Sequence, residues 1–215
     1  MVKHTEIIFI IDKSGSMGHL ADDTIGGFNS FIESQKDDTK TTLTTVLFDS
    51  SWKVLHDGLD IYEVSPMTNK DYIPGGMTAM LDAIGETINR VQDRHDDLGV
   101  EKPDNVLFVI TTDGQENSSK NFKKSQIERM IKHQTKSHGW EFMFLGANMD
   151  AVEEAASIGI SAEKSITYNY DSTGVRSTYT TMACAANTIK SCATLDGFDL
   201  NKTYNSETVK DTALK

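Results

Sequence analysis

Cysteine is scarce in this sequence, and the two cysteines that occur are badly placed for a disulfide. Cys184 and Cys192 lie eight positions apart in one predicted helix. That spacing is about 12 Å at a helical rise of about 1.5 Å per residue, which is too long for a bridge. We therefore expect both thiols to be reduced, as is usual in a reducing compartment. An apolar core must then stabilise the fold, and 215 residues suffice for one large domain.

Basic residues are also in short supply. The sequence has 21 Lys and Arg against 32 Asp and Glu, so its net charge at pH 7 is -11. The electrostatic field of such a chain repels phosphate backbones and anionic lipid headgroups. We therefore expect neither nucleic acid nor a membrane surface as a partner.

Long apolar runs are missing as well. The longest, residues 7–11 and 106–110, have five residues each, whereas a membrane-spanning helix needs about 20. No apolar leader segment precedes the first predicted strand, and together with the reduced cysteines this predicts a cytoplasmic protein. Proline is rare and no Gly/Ser-rich tract marks a linker. We expect one domain over residues 1–200, followed by a polar C-terminal tail over 201–215 that lies on the surface.

The pattern of apolar residues predicts alternating strands and helices. Residues 6–11 and 105–111 are apolar on both faces, as in strands buried inside a parallel sheet. Residues 41–48 and 52–59 are joined too closely for a parallel crossover, which predicts a hairpin and one antiparallel edge strand. Further strands are predicted at 140–145 and 165–168, and helices at 19–36, 78–98, 122–137, 151–158 and 173–195. This order predicts a doubly wound, mostly parallel α/β sheet with helices on both faces.

Three polar segments follow predicted strands or open predicted helices, and each supplies oxygen ligands. Asp12, Ser14 and Ser16 come directly after the first strand. Thr78 opens a helix after two glycines, and Asp113 follows a second buried strand. Ligands of open α/β sheets bind beyond the carboxyl ends of the strands, where these segments would meet. Each segment alone is more typical of a turn or helix cap, but together they predict a site for a hard cation, Mg²⁺ or Mn²⁺.

The same segments are similar to those of a known family. Asp-x-Ser-x-Ser after the first strand, Gly-Gly-x-Thr before a helix and Thr-Asp-Gly after a later strand resemble the von Willebrand factor type A domain and its metal-ion-dependent adhesion site (MIDAS). The resemblance spans nearly the whole chain and implies a six-stranded sheet with one antiparallel edge strand. It also implies that the metal ligands are Asp12, Ser14, Ser16, Thr78 and Asp113. Glu116 and Asn117 could shape the rim of this site, although solvated loop residues are the simpler interpretation.

The resemblance implies a binding module and not an enzyme. A metal ion with an open coordination position would be presented to an acidic side chain of a partner protein. Intracellular members of the family work with ring-forming ATPases and stress-response assemblies, so we expect the partner to belong to an assembly of that kind.

Two other functions stay open from the residues alone. A Mg²⁺-dependent phosphotransferase or hydrolase of the haloacid dehalogenase type also carries an Asp after its first strand. Its acid–base Asp two positions later is replaced here by Ser14, a poor proton carrier. The sequence also lacks a phosphate-binding Gly-rich loop and a nucleophile elbow. The third possibility is a metal-independent scaffold whose helical surface or tail carries the interaction.

Overall fold

The structure is a computed structural model that describes residues 3–147 and 149–213, with side chains as far as residue 208. Its strands are His4–Asp12 (β1), Lys40–Phe48 (β2), Trp52–Asp60 (β3), Asn105–Thr112 (β4), Glu141–Ala147 (β5) and Ser165–Tyr168 (β6). They form one six-stranded sheet in the order β3-β2-β1-β4-β5-β6. All neighbours are parallel except β2 and β3. The predicted α/β sheet with one antiparallel edge strand is confirmed.

Helices cover both faces of the sheet because its central strands are apolar on both faces. Along β1, Ile7, Phe9 and Ile11 face one layer, whereas Ile8 and Ile10 face the other, and all are fully buried. The first layer contains the helices Ala21–Ser34 (α1), Ser172–Cys192 (α5) and Leu200–Ala213 (α6). The second contains Met80–Leu98 (α2), Lys124–His138 (α3) and Ala151–Ser157 (α4). Burying each large apolar side chain contributes about 1.5–3 kcal/mol, so this two-sided core fixes β1 at the centre.

The first predicted helix, at residues 19–36, is shorter in the structure and is preceded by a 3-10 helix. A 3-10 helix runs over Gly15–Leu20, and α1 follows it directly. Within α1, Gly27 allows α5 to approach closely, because a Cβ atom at this position would lie 2.2 Å from the ring of Tyr179. The two helices are therefore in close contact at this glycine.

The C-terminal segment differs from the expectation of a polar surface tail. Residues 200–213 form α6, and Leu200 and Tyr204 are buried in the same layer as α1 and α5. This segment has few apolar residues, so the sequence pattern gave little sign of the helix. The division into residues 1–200 and 201–215 stays a prediction. Neither α6 nor any other described helix is long and apolar enough to cross a membrane.

Candidate metal centre

The structure brings the three predicted segments to one edge of the sheet. β1 and β4 are parallel neighbours in which Ile11 pairs with Thr111, so Asp12 and Thr112 leave the sheet side by side. The strand order also reverses at this point, because β2 lies on one side of β1 and β4 on the other. This carboxyl-end crevice is where open α/β sheets bind their ligands.

Hydrogen bonds to Asp12 shape the first loop. Its Oδ1 atom accepts the Ser14 backbone N–H at 2.6 Å, and a 3-10 helix begins at Gly15. The hydroxyls of Ser14 and Ser16 then lie together, with their Oγ atoms 3.2 Å apart. Ser16 Oγ donates to Asp113 Oδ1 at 2.7 Å. The first and third loops therefore meet through this pair.

Thr112 connects the two strands that carry the carboxylates. Its Oγ1 atom donates to Asp12 Oδ2 at 2.6 Å and accepts the Gly114 N–H at 3.2 Å. Both carboxylate oxygens of Asp12 thus have a hydrogen-bond donor. The motif contains Thr112, but its role was not predicted, because it depends on which strand lies next to β1.

A loop that pairs with the first one positions Thr78. The Gly15 N–H donates to the Gly76 carbonyl oxygen at 3.3 Å. Gly76 has a φ of 74°, a conformation that favours glycine. The Thr78 side chain lies beside the third loop, since a Cβ atom added to Gly114 would be 3.7 Å from Thr78 Oγ1.

All the predicted site residues therefore lie at this edge, at different depths. Asp12, Ser14 and Thr78 are buried, Asp113 is half-buried and Ser16 is exposed. Four of them are linked by direct hydrogen bonds, and Thr78 lies next to them. Their role as metal ligands stays a prediction.

Asp12 is a fully buried carboxylate without a cationic partner among the described residues. Burial raises its pKa to about 6, although hydrogen bonds from Thr112 and Ser14 act in the opposite direction. The adjacent Lys13 pairs with Asp49 instead. A buried anion in this position is stabilised when a cation from outside the chain joins it.

Two tyrosines from other parts of the chain support the first loop. The buried Tyr72 donates its hydroxyl to the Asp12 carbonyl oxygen at 2.5 Å. Tyr170, between β6 and α5, donates to the Ser16 carbonyl oxygen, and its ring meets that of His19 edge-on at a centroid distance of 4.3 Å. Burial raises the pKa of Tyr170 well above its usual range. Sequence reasoning missed both tyrosines, because neither lies in a motif.

The donor set fits a hard cation. It has two carboxylates and three hydroxyls, and such oxygen ligands suit Mg²⁺ and Mn²⁺. Within the described ranges, no group of three or more His, Cys, Asp or Glu side chains is arranged to hold a metal. A zinc site rich in nitrogen and sulfur ligands is therefore not formed by that part of the chain.

Solved structures of von Willebrand factor type A domains share this architecture. Proximal thread matrix protein 1 from the mussel byssus, with a zinc-occupied MIDAS motif, gives a TM-score of 0.60 at 17% identity and covers 86% of this chain and 46% of that one. A von Willebrand factor type A structure from Catenulispora acidiphila gives 0.56 at 12% identity, covering 86% and 43%. Manganese-loaded TRAP from Plasmodium vivax gives 0.55 at 19% identity, covering 78% and 69%. This chain therefore has the von Willebrand factor type A fold.

At identities of 12–19%, these similarities support the fold alone. This chain spans less than half the length of the mussel and Catenulispora chains. No family model and no curated protein matches the sequence. A function for this chain has to be argued from its own site.

Proposed function

We propose that this chain is a metal-dependent protein-binding module. Asp12, Ser14, Ser16, Thr78 and Asp113 would hold one Mg²⁺ or Mn²⁺ ion, and an acidic side chain of a partner protein would complete its coordination. The buried Asp12 carboxylate carries the proposal, since it has donors around it but no cationic side chain among the described residues. A divalent cation supplies the positive charge that this environment lacks.

The chemistry of the ligands favours presentation of the ion to an outside anion. Three of the five proposed ligands are neutral hydroxyls, so the ion retains positive charge for a further carboxylate. Ser16 is exposed and Asp113 is half-buried, which leaves one side of the site open to solvent. A carboxylate oxygen is a preferred ligand for a hard cation.

The surface beside the site is apolar. Ile73 and Met77 are 63% and 52% exposed, and Met77 directly precedes Thr78. The Met77 N–H donates to Ser50 Oγ at 2.8 Å, which ties this part of the rim to the loop after β2. We propose that the acidic side chain of the partner has an apolar neighbour that packs here.

The proposed role is binding without catalysis. Ser14 stands where a phosphotransferase of the haloacid dehalogenase type needs a carboxylate to move protons. Our proposal also includes a cytoplasmic location and a partner from an ATPase or stress-response assembly, as predicted from the sequence.

Competition by a carboxylate for bound Mn²⁺ tests this proposal. Bound Mn²⁺ relaxes the protons of its coordinated water molecules, so water-proton relaxation reports an open coordination position. With the wild type, we expect an enhancement that a Glu-containing peptide lowers and the matching Gln peptide does not. Asp113→Ala should show no enhancement.

Two results would contradict the proposal. An enhancement that no carboxylate lowers would contradict presentation of the metal. Mg²⁺-dependent turnover of a generic phosphatase substrate, lost in Asp12→Asn, would favour the phosphotransferase.

A further inference from the structure

The N-terminus of α2 is capped by another part of the chain. The residue before the helix is Ala79, which has no side-chain oxygen, although the first N–H groups of a helix need acceptors. Residues 116–122, which follow the third loop of the candidate site, supply those acceptors. We call residues 116–122 the clamp segment.

Glu116 and Ser119 of the clamp segment act as caps. Glu116 Oε2 accepts the Leu81 N–H at 2.9 Å, and Ser119 Oγ accepts the Asp82 N–H at 3.0 Å. Glu116 is itself held in place, because its Oε1 atom accepts the N–H groups of Ser118 at 2.8 Å and Ser119 at 2.7 Å. A carboxylate at a helix N-terminus also interacts favourably with the helix dipole.

Asp82 of α2 makes the reciprocal contacts. Its carboxylate accepts the backbone N–H groups of Lys120 at 2.8 Å, Asn121 at 2.9 Å and Phe122 at 2.9 Å. The Phe122 ring packs against the helix at Gly85, where a Cβ atom would lie 2.7 Å from the ring. The clamp segment and the first turns of α2 are thus joined from both sides.

Asn117 extends this connection to the candidate metal ligand on the second loop. Its side-chain Oδ1 atom accepts the Thr78 backbone N–H at 2.9 Å, and its backbone N–H donates to the Thr78 carbonyl oxygen at 3.1 Å. Asp113 lies four positions before Asn117 in the sequence. The second and third loops are therefore tied together just behind their proposed ligands.

We propose that Glu116 and Asn117 are positioning residues of the metal site, which hold Thr78 at a fixed place relative to Asp113. The inference rests on the proposed metal site. Mg²⁺ demands near-octahedral ligand geometry, and the proposed ligands come from separate loops. Residues that orient metal ligands typically change metal affinity about 10–100-fold when they are replaced. Asn117 is exposed and Glu116 is half-buried, so both are loop residues in contact with solvent, and the positioning role adds to that prediction.

Asn117→Ala is the primary test, because it changes no charge. We expect the Mn²⁺ dissociation constant, measured by titration calorimetry while circular dichroism shows folded protein, to rise at least about tenfold. The matched control is Asn105→Ala. Asn105 is buried at the other end of the sheet, where its Nδ2 atom donates to Thr5 Oγ1 at 3.2 Å and the Ile189 carbonyl oxygen at 3.3 Å. Its replacement should lower the melting temperature and leave the dissociation constant unchanged.

A double-mutant cycle separates positioning from general stabilisation. If Asn117 acts through Thr78, then Asn117→Ala should cost little further affinity in a Thr78→Ala background. Equal losses in both backgrounds would overturn the inference.

Glu116→Gln provides a second, independent variant. Its charge control is Glu153→Gln, since Glu153 is exposed and lines the same groove as Glu116. We expect weaker Mn²⁺ binding for Glu116→Gln only. Wild-type protein that binds no Mn²⁺ would overturn the proposed metal site, whereas wild-type affinity in Asn117→Ala and Glu116→Gln would overturn only the positioning role.

Discussion

Two buried carboxylates near opposite ends of β1 have very different surroundings. Glu6, 1% exposed, pairs with Arg94, lies 2.7 Å from His95 Nε2 and accepts the Thr44 hydroxyl at 2.8 Å. Burial acts to raise the pKa of Glu6, but the His95 hydrogen bond and the Arg94 charge outweigh it and leave the pKa below its ordinary value. The negative charge of Glu6 is therefore compensated by side chains of the same chain.

Asp12, at the other end, has no such partner among the described residues. Its described hydrogen-bond donors are neutral groups of Ser14 and Thr112, and its pKa is raised to about 6 by burial. Because the same strand neutralises one buried acid internally and leaves the other to neutral donors, burial alone does not mark a site. The lack of a described cationic partner does, and it is the reason to expect a cation from outside at Asp12.

Neutralising the two acids should have opposite effects on stability. Glu6→Gln removes the buried partner of Arg94, which keeps its ion pair with Asp57, and we expect a loss of about 1–3 kcal/mol in the free energy of unfolding. Asp12→Asn removes a buried charge, and the Thr112 hydroxyl can rotate to accept from the new amide. Chemical denaturation of metal-free protein should therefore show Asp12→Asn at least as stable as the wild type. A large loss of stability in both variants would contradict the contrast.

Removing one hydroxyl should weaken metal binding without unfolding the chain. Ser14→Ala keeps the backbone N–H that donates to Asp12, so the loop should persist while one proposed ligand is lost. We expect about tenfold weaker Mn²⁺ binding in titration calorimetry, or about 1.4 kcal/mol. Ser165→Ala, at a buried serine in β6, should leave the affinity unchanged. Equal affinities in all three proteins would remove Ser14 from the site.

Lowering the pH should change the contributions of Glu6 and Asp12 to the stability of the fold in opposite directions. The lowered pKa of Glu6 stabilises the fold above the ordinary Glu range, and this contribution is lost as the pH falls through the folded-state pKa. The raised pKa of Asp12 destabilises metal-free protein when the group is ionised, so this penalty shrinks as the pH falls below about 6.

Denaturation of metal-free protein at pH 7 and pH 5 tests the signs of these two contributions to stability. The advantage of Asp12→Asn over the wild type should decrease by about 1 kcal/mol between these values. The deficit of Glu6→Gln should persist over the same range. An advantage of Asp12→Asn that does not change with pH would show that burial does not raise the pKa of Asp12 into this range.

The smallest expected difference is between alanine variants of two glycines with positive φ. Gly99, at the end of α2, has a φ of 55° and open space around its missing Cβ atom, whereas Gly76 has a φ of 74° and Ser50 Oγ at 2.8 Å from that position. Both alanine variants should lose about 1 kcal/mol from backbone strain. Only Gly76→Ala should also weaken Mn²⁺ binding, because displaced Ser50 would release Met77 beside Thr78. Equal Mn²⁺ affinity in both variants would contradict this.

Sequence patterns predicted those features that a short stretch of the chain encodes by itself. The two-sided apolar runs located β1 and β4, and the three short motifs located the candidate ligands at one edge. The ion pair between Glu6 and Arg94, the contact of Tyr170 with the first loop, and the clamp segment were not predicted. Each joins residues far apart in the sequence, so no single window contains the signal. Helix α6 was missed because its sequence has few apolar residues.

Thermal unfolding of metal-stripped protein during titration with Mg²⁺ and Mn²⁺ tests the central claim most directly, with Asp12→Asn measured in parallel. An ion that binds only the folded state must raise the melting temperature. We expect the wild type to begin at or below the melting temperature of Asp12→Asn and to rise with metal, while the variant does not respond. No rise in the wild type, or an equal rise in both proteins, would contradict the claim that Asp12 is neutralised by a bound cation.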